Sequence, residues 1–178
     1  MAMIAEKQMS LKPQDLVVAV KLAANRNRDF VLATLAEELG MAVSVVHGSI
    51  KRAEQARLLS RSGGSVRAIQ SAVREFLIHG AKYAFPAHLG SMGRGTPTSV
   101  GAPALQAFFD PSKVLTPVWP DADGVAWGPT VVPLHSSVPR AASRDKELYD
   151  LLALLDAIRM GAARERELAA AAIEDKLS

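Results

Sequence analysis

The sequence predicts a mainly α-helical fold carrying one small β-hairpin, and three observations predict it. Apolar residues recur at helical spacing over five segments, two neighbouring segments are joined by one glycine, and prolines and glycines gather mid-chain. Leu16, Val17, Val20 and Ala24 give a first helix over Pro13 to Ala24, with proline suited to its first position. Asn25-Arg26-Asn27-Arg28 reads as a polar turn, and Asp29 as the cap of a second helix over Phe30 to Leu39. That helix buries Val31, Leu35 and Leu39 and stops at Gly40, where glycine supplies a left-handed conformation at little steric cost. The third helix covers Val43 to Arg57. Val46, Ile50 and Ala53 turn inward, leaving Ser44, Val45, His47, Gly48, Lys51, Arg52 and Gln55 outward or on the flanks.

Val66, Ile69, Val73, Phe76 and Leu77 keep the helical rhythm over Val66 to His79. The composition then changes: residues 84–139 hold nine of the ten prolines and six of the twelve glycines. Ala87 to Pro103 is expected to be a long loop, and Pro103 to Phe109 a short helix. Gly90, Gly93 and Gly95 with Arg94 and Thr96 fit neither a Walker A loop nor a dinucleotide fingerprint. Thr116 to Trp119 and Val125 to Gly128, separated by Asp121-Ala122-Asp123-Gly124, read as a hairpin. Leu148, Leu151, Leu152, Leu155 and Ile158 stripe a helix over Arg144 to Met160, which Gly161 interrupts before an alanine-rich terminal helix.

The 178 residues carry a net charge of +3, unevenly placed. Residues 1–82 hold 12 Lys/Arg against 7 Asp/Glu, and Gly40 to Arg74 holds six basic residues against Glu54 alone. A basic stripe around two helices joined by a glycine turn is the footprint expected of phosphate contacts. The absence of cysteine excludes disulfides and thiolate metal sites. No long uncharged apolar run is present, and Met1 to Ser10, with Glu6, Lys7 and Gln8, has no signal-segment pattern, so a cytoplasmic protein without a membrane span is expected. His47, His79, His88 and His135 form no metal-ligand motif, and no Gly-x-Ser-x-Gly elbow occurs. Neither an enzyme nor a cofactor is expected. Asp145, Asp150 and Asp156 are assigned to a solvent-facing helix surface.

Leu35-Ala36-Glu37-Glu38-Leu39-Gly40-Met41, the Val46-His47 pair and Ile50-Lys51-Arg52-Ala53-Glu54 form a helix-turn-helix pattern. Over Leu11 to Leu59 the chain resembles the DNA-binding unit of bacterial winged helix-turn-helix regulators of the MarR-like kind. Two departures stand out. Ala42 replaces the usual capping Ser or Thr after the turn, and Ser60 to Ser65 leaves room only for a tight turn where a long wing would be.

The pattern and the resemblance together imply a winged helix-turn-helix unit over residues 11–80. A loop-rich and helical region, 81–178, is then left for dimerisation or an effector. Ser44, His47 and Lys51 are the candidates to approach base edges, Arg52 and Arg57 to reach phosphates, and Arg61 to touch the minor groove. The expected function is sequence-specific binding of double-stranded DNA by a homodimeric transcriptional repressor. A small-molecule effector near Trp119 and Trp127 is a further expectation. The alternative is a winged-helix antitoxin or adaptor that grips a partner protein through residues 83–139.

Overall fold

The computed structural model describes residues 9–178; Met1 to Gln8, where the sequence shows no signal-segment pattern, lie outside the described residues. Helix α1 (Pro13–Ala24) begins and ends where the sequence predicts, and every residue from Asp15 to Ala23 is buried. A helix apolar on nearly all sides belongs in the centre of a core, and α1 packs against α3 (Val43–Gln55) and α7 (Lys146–Met160). Helix α2 (Leu32–Leu39) starts two residues later than expected, with Val31 in the capping position. Asp29 does not cap it; its carboxylate accepts the Arg67 guanidinium at 2.7 Å. Helix α3 is followed by an antiparallel hairpin of β1 (Leu59–Ser62) and β2 (Ser65–Ala68), turning on Gly63-Gly64.

The hairpin shortens the next helix. Val66 sits opposite Arg61 in the strand ladder, so the helical rhythm read from Val66 begins in earnest only at Gln70. From there α4 (Gln70–Glu75) runs through a π turn at Phe76–Gly80 into α5 (Ala81–Ala84).

The expected loop over Ala87 to Pro103 is mostly strand. β3 (Leu89–Pro97) pairs antiparallel with β4 (Val118–Pro120) and with β5 (Ala126–Val131), which themselves touch in parallel at Val118 and Thr130. The three strands thus close on one another, and β4 and β5 are not the two arms of a hairpin. Gly95 explains why glycine sits in this strand. It is paired to Pro120 on one side and Ala126 on the other, and a Cβ there would overlap the Trp119 carbonyl. A glycine in a strand marks such a close backbone approach.

Leu105 anchors the expected short helix at 103–109, which is reduced to a 3₁₀ turn over Gln106–Phe108. Helix α6 (Val138–Ala142), α7 and α8 (Ala163–Lys176) complete the chain, with α8 packed against α7. About half of the chain is helical, combined with two small sheets, so the architecture is more mixed than the mainly α fold expected. One hydrophobic cluster joins α1, α2 and α3 to Trp119, α7 and α8, so segments 11–80 and 81–178 share a core. Among the described residues no helix is long and apolar enough to cross a membrane.

Candidate nucleic-acid interface

Gly40 holds φ 63° at the end of α2, and its N–H donates back to the Ala36 and Glu37 carbonyls. The left-handed residue reverses the chain within one turn, and Met41 N–H returns to Ala36 O at 3.0 Å. Helix α3 then starts from an extended Ala42 whose side chain makes no capping bond. Its inner row is Val46, Ser49, Ile50 and Ala53, all buried; sequence spacing identified three of these and missed Ser49. Its outer row, Val43, Ser44, His47, Lys51 and Gln55, is exposed. Ser44, His47 and Lys51 therefore stand on one open face, at positions i, i+3 and i+7.

The three arginines part company. Arg52 turns inward: Nε and Nη2 each lie 2.7 Å from the two carboxylate oxygens of Asp15, a residue with no exposed surface. Asp15 also accepts the Lys12 N–H at 2.8 Å, so one carboxylate closes the start of α1 and ties it to α3. The hydrogen bonds from Asp15 raise the Arg52 guanidinium above its ordinary pKa despite partial burial. Arg52 is thus held within the fold and does not reach outward for a phosphate, as its place in the sequence suggests. The sequence could not show this, because its partner lies 37 residues away.

Arg57 is exposed just past the end of α3 with φ 58°, and it borders a recess of about 410 Å³ lined by Leu58, Phe76 and His79. Arg61, on β1, is half-exposed and paired with Glu54 of α3 at 2.7 Å. The structure brings Arg61 and His47 together along one groove of about 360 Å³, between the start of α2, α3 and the hairpin, also lined by Phe30 and Ile50. Val31 borders it too but is 71% exposed, not buried as the helical spacing suggests, because α2 begins only after it.

The chain matches no family model, no curated protein and no solved structure.

Sequence reasoning missed the polar group that fixes α2. Lys21 is buried in α1, and its ammonium meets Asp145 at 2.6 Å and Glu38 at 2.7 Å. Asn25 also donates to Asp145, and Arg28 to Glu38. Hydrogen bonds from Arg28, and with them Lys21, lower the Glu38 pKa. Burial opposes the charge on Asp145, but Lys21, Asn25 and the Leu148 N–H outweigh it and the pKa falls. Glu38 lies next to the α2–α3 turn, so this cluster sets where α3 is presented. The only signal in the sequence was a lysine four residues after Val17, on a face otherwise apolar.

Asp150 and Asp156 are likewise not solvent-facing. Asp150 is buried and takes Lys146 and Lys176. Asp156 accepts Trp119 Nε1 and Thr98 Oγ1, each at 2.7 Å, and Arg159 at 2.8 Å. Its burial raises the pKa against these favourable partners. Trp119 is therefore a core residue, whereas Trp127 is 66% exposed, and the two do not face one small-molecule site. Among the described residues no cluster of three His, Asp or Glu has the arrangement of a metal site.

Proposed function

We propose that the protein is a sequence-specific DNA-binding regulator of transcription, a repressor working as a homodimer through a winged helix-turn-helix unit. The observation that carries this reading is the outer face of α3. Ser44, His47 and Lys51 are exposed along a helix whose opposite row is locked into the core. A recognition helix needs both properties, since side chains read base edges only when the helix behind them is held at a fixed depth. The Arg52–Asp15 pair and the Lys21 cluster supply that rigidity. The hairpin β1–β2 follows α3 directly and is the short wing, with Arg61 beside His47 at the groove between them.

Within this reading the roles divide. Lys51, at the far end of the exposed row, and Arg57 neutralise phosphates, Arg61 on the hairpin reaches the minor groove, and Ser44 and His47 discriminate bases. Deleting one phosphate-binding side chain reduces the slope of log K against log salt concentration by about one unit. Lys51→Ala should weaken binding to all duplexes alike and flatten that slope. Ser44→Ala and His47→Ala should lose preference between a selected site and random DNA while leaving the slope unchanged. The measurement is fluorescence anisotropy with both duplexes across a salt series. Unchanged affinity and preference in all three variants would contradict the placement of α3.

A further inference from the structure

Arg159 occupies the last turn of α7, a helix buried throughout from Asp150 to Ile158, and its own side chain is only 5% exposed. A guanidinium taken that far from water needs acceptors for its N–H groups. Nε donates to the Phe85 carbonyl at 2.7 Å, and Nη1 donates to Asp156 at 2.8 Å. Asp156 is fully engaged, its Oδ1 by Arg159 and its Oδ2 by both Trp119 and Thr98. The second N–H of Nη1 and both N–H groups of Nη2 have no acceptor among the described residues. Gln70 Oε1 is the only buried side-chain polar atom left without a partner among those residues. Nη2 is therefore not sealed into the core, and it opens on the recess that Arg159 lines.

That recess, of about 420 Å³, lies where the start of α1, the chain leaving α5, the chain leaving β5 and the end of α7 meet. Pro13, Phe85, Pro86, Val132, Pro133 and Leu134 give it an apolar wall, and no acidic residue lines it. Its one other polar side chain is His88, which is exposed. A recess of this size holds a small organic molecule. The larger recess of about 730 Å³ beside β3 differs, because Asp121 and Asp123 line it together with Arg140 and its charge favours neither sign.

The chemistry of the ligand follows from the lining. A planar fork of N–H donors matches a carboxylate, which takes two of them at once. The apolar wall calls for a hydrocarbon body behind that carboxylate. The Arg159 charge is already shared with Asp156, so the site balances one negative charge and not the two of a phosphate dianion.

We propose that this recess binds a small monocarboxylate with an apolar body, its carboxylate on Arg159 Nη2 and its hydrocarbon against Phe85, Pro86 and Leu134. The proposal takes nothing from the DNA-binding reading. Its test is isothermal titration calorimetry on the full-length chain with hexanoate and benzoate, beside acetate, inorganic phosphate and the neutral hexanamide and benzamide. Hexanoate or benzoate should bind saturably, one per chain, and its amide at least about 10-fold more weakly, because the amide gives up the charge-assisted bonds. Acetate should fall behind hexanoate by on the order of 100-fold when the four extra methylenes are fully buried. Val132 is 78% exposed, so Val132→Glu should keep the fold while placing a competing carboxylate at the recess, and binding should be lost. Arg159→Lys keeps the charge without the fork and should weaken binding at least about 10-fold in protein that still melts cooperatively.

Failure of both acids to bind at concentrations up to about 10 mM would overturn the inference. So would amides or phosphate that bind as tightly as the acids, or an affinity for the acids unchanged in Val132→Glu. If Arg159→Lys does not fold, Val132→Glu decides alone.

Discussion

Arg52→Ala and Lys51→Ala, neighbours on one helix, should fail in different ways. Removing Arg52 strands the Asp15 carboxylate, which has no exposed surface and keeps only the Lys12 N–H as a donor. Breaking one partner from a buried ion pair costs about 3–5 kcal/mol. Arg52 itself is partly exposed, so water entering the vacated space offsets some of this and places the expected loss near 3 kcal/mol, toward the low end of that range. For a chain of this size that lowers the melting temperature by about 6–12 °C. Lys51 is exposed and forms no ion pair among the described residues, so Lys51→Ala should melt with the wild type yet lose DNA affinity and salt dependence. Replacing both partners, as Asp15→Asn with Arg52→Met, should recover much of the stability because no buried charge is left alone. The assays are calorimetric or fluorescence melts beside anisotropy titrations. If Arg52→Ala melted like the wild type while losing DNA binding as Lys51→Ala does, the assignment of Arg52 to the interior would be refuted.

Three other consequences follow from the buried polar groups and the closed sheet. The lowered pKa values of Glu38 and Asp145 stabilise the fold above the unfolded carboxylate range near pH 4, and this contribution is lost as pH falls through their folded values. Lys21→Met should therefore be clearly less stable than the wild type in urea at pH 7, with the gap narrowing at pH 3.5; a constant gap would contradict the charged cluster. Gly95→Ala should abolish cooperative melting or lower the melting temperature by more than about 10 °C, since the obstacle is backbone, whereas Gly64→Ala, left-handed but with open space around it, should cost only about 1–2 kcal/mol. Asp156→Ala removes the acceptor of Trp119, Thr98 and Arg159 and should cost about 3–5 kcal/mol, read by denaturant melts followed through tryptophan emission.

Local rules carried the first third of the chain. Pro13, the apolar run after it, Gly40 and the Val46–Ile50–Ala53 row each act within a turn or two, so α1, the α2–α3 turn and the inner face of α3 were legible from spacing. What escaped depends on partners far apart in the chain. The Arg52 contact to Asp15, the Lys21 contact to Asp145 and the Asp156 contact to Trp119 span 37, 124 and 37 residues. On a helical wheel such charges sit beside apolar neighbours and read as flank or solvent positions. β3 escaped for another reason: Gly90, Gly93 and Gly95 erase the alternation that marks a strand, and they are there because its neighbours approach too closely for side chains. Of the six residues expected to meet DNA, spacing placed Ser44, His47 and Lys51 on an exposed face, but no local rule could separate Arg52 from Arg57 and Arg61.

The central claim is that α3 presents Ser44, His47 and Lys51 to a DNA major groove. The direct measurement is binding of the wild-type chain to a selected duplex and to random DNA between about 50 and 200 mM salt, a range over which a protein with several phosphate contacts loses orders of magnitude in affinity. The account predicts tight binding at low salt, a steep linear fall of log affinity with log salt, and a preference for the selected duplex that persists as salt rises. No binding at the lowest salt, or binding with no preference between duplexes, would contradict it.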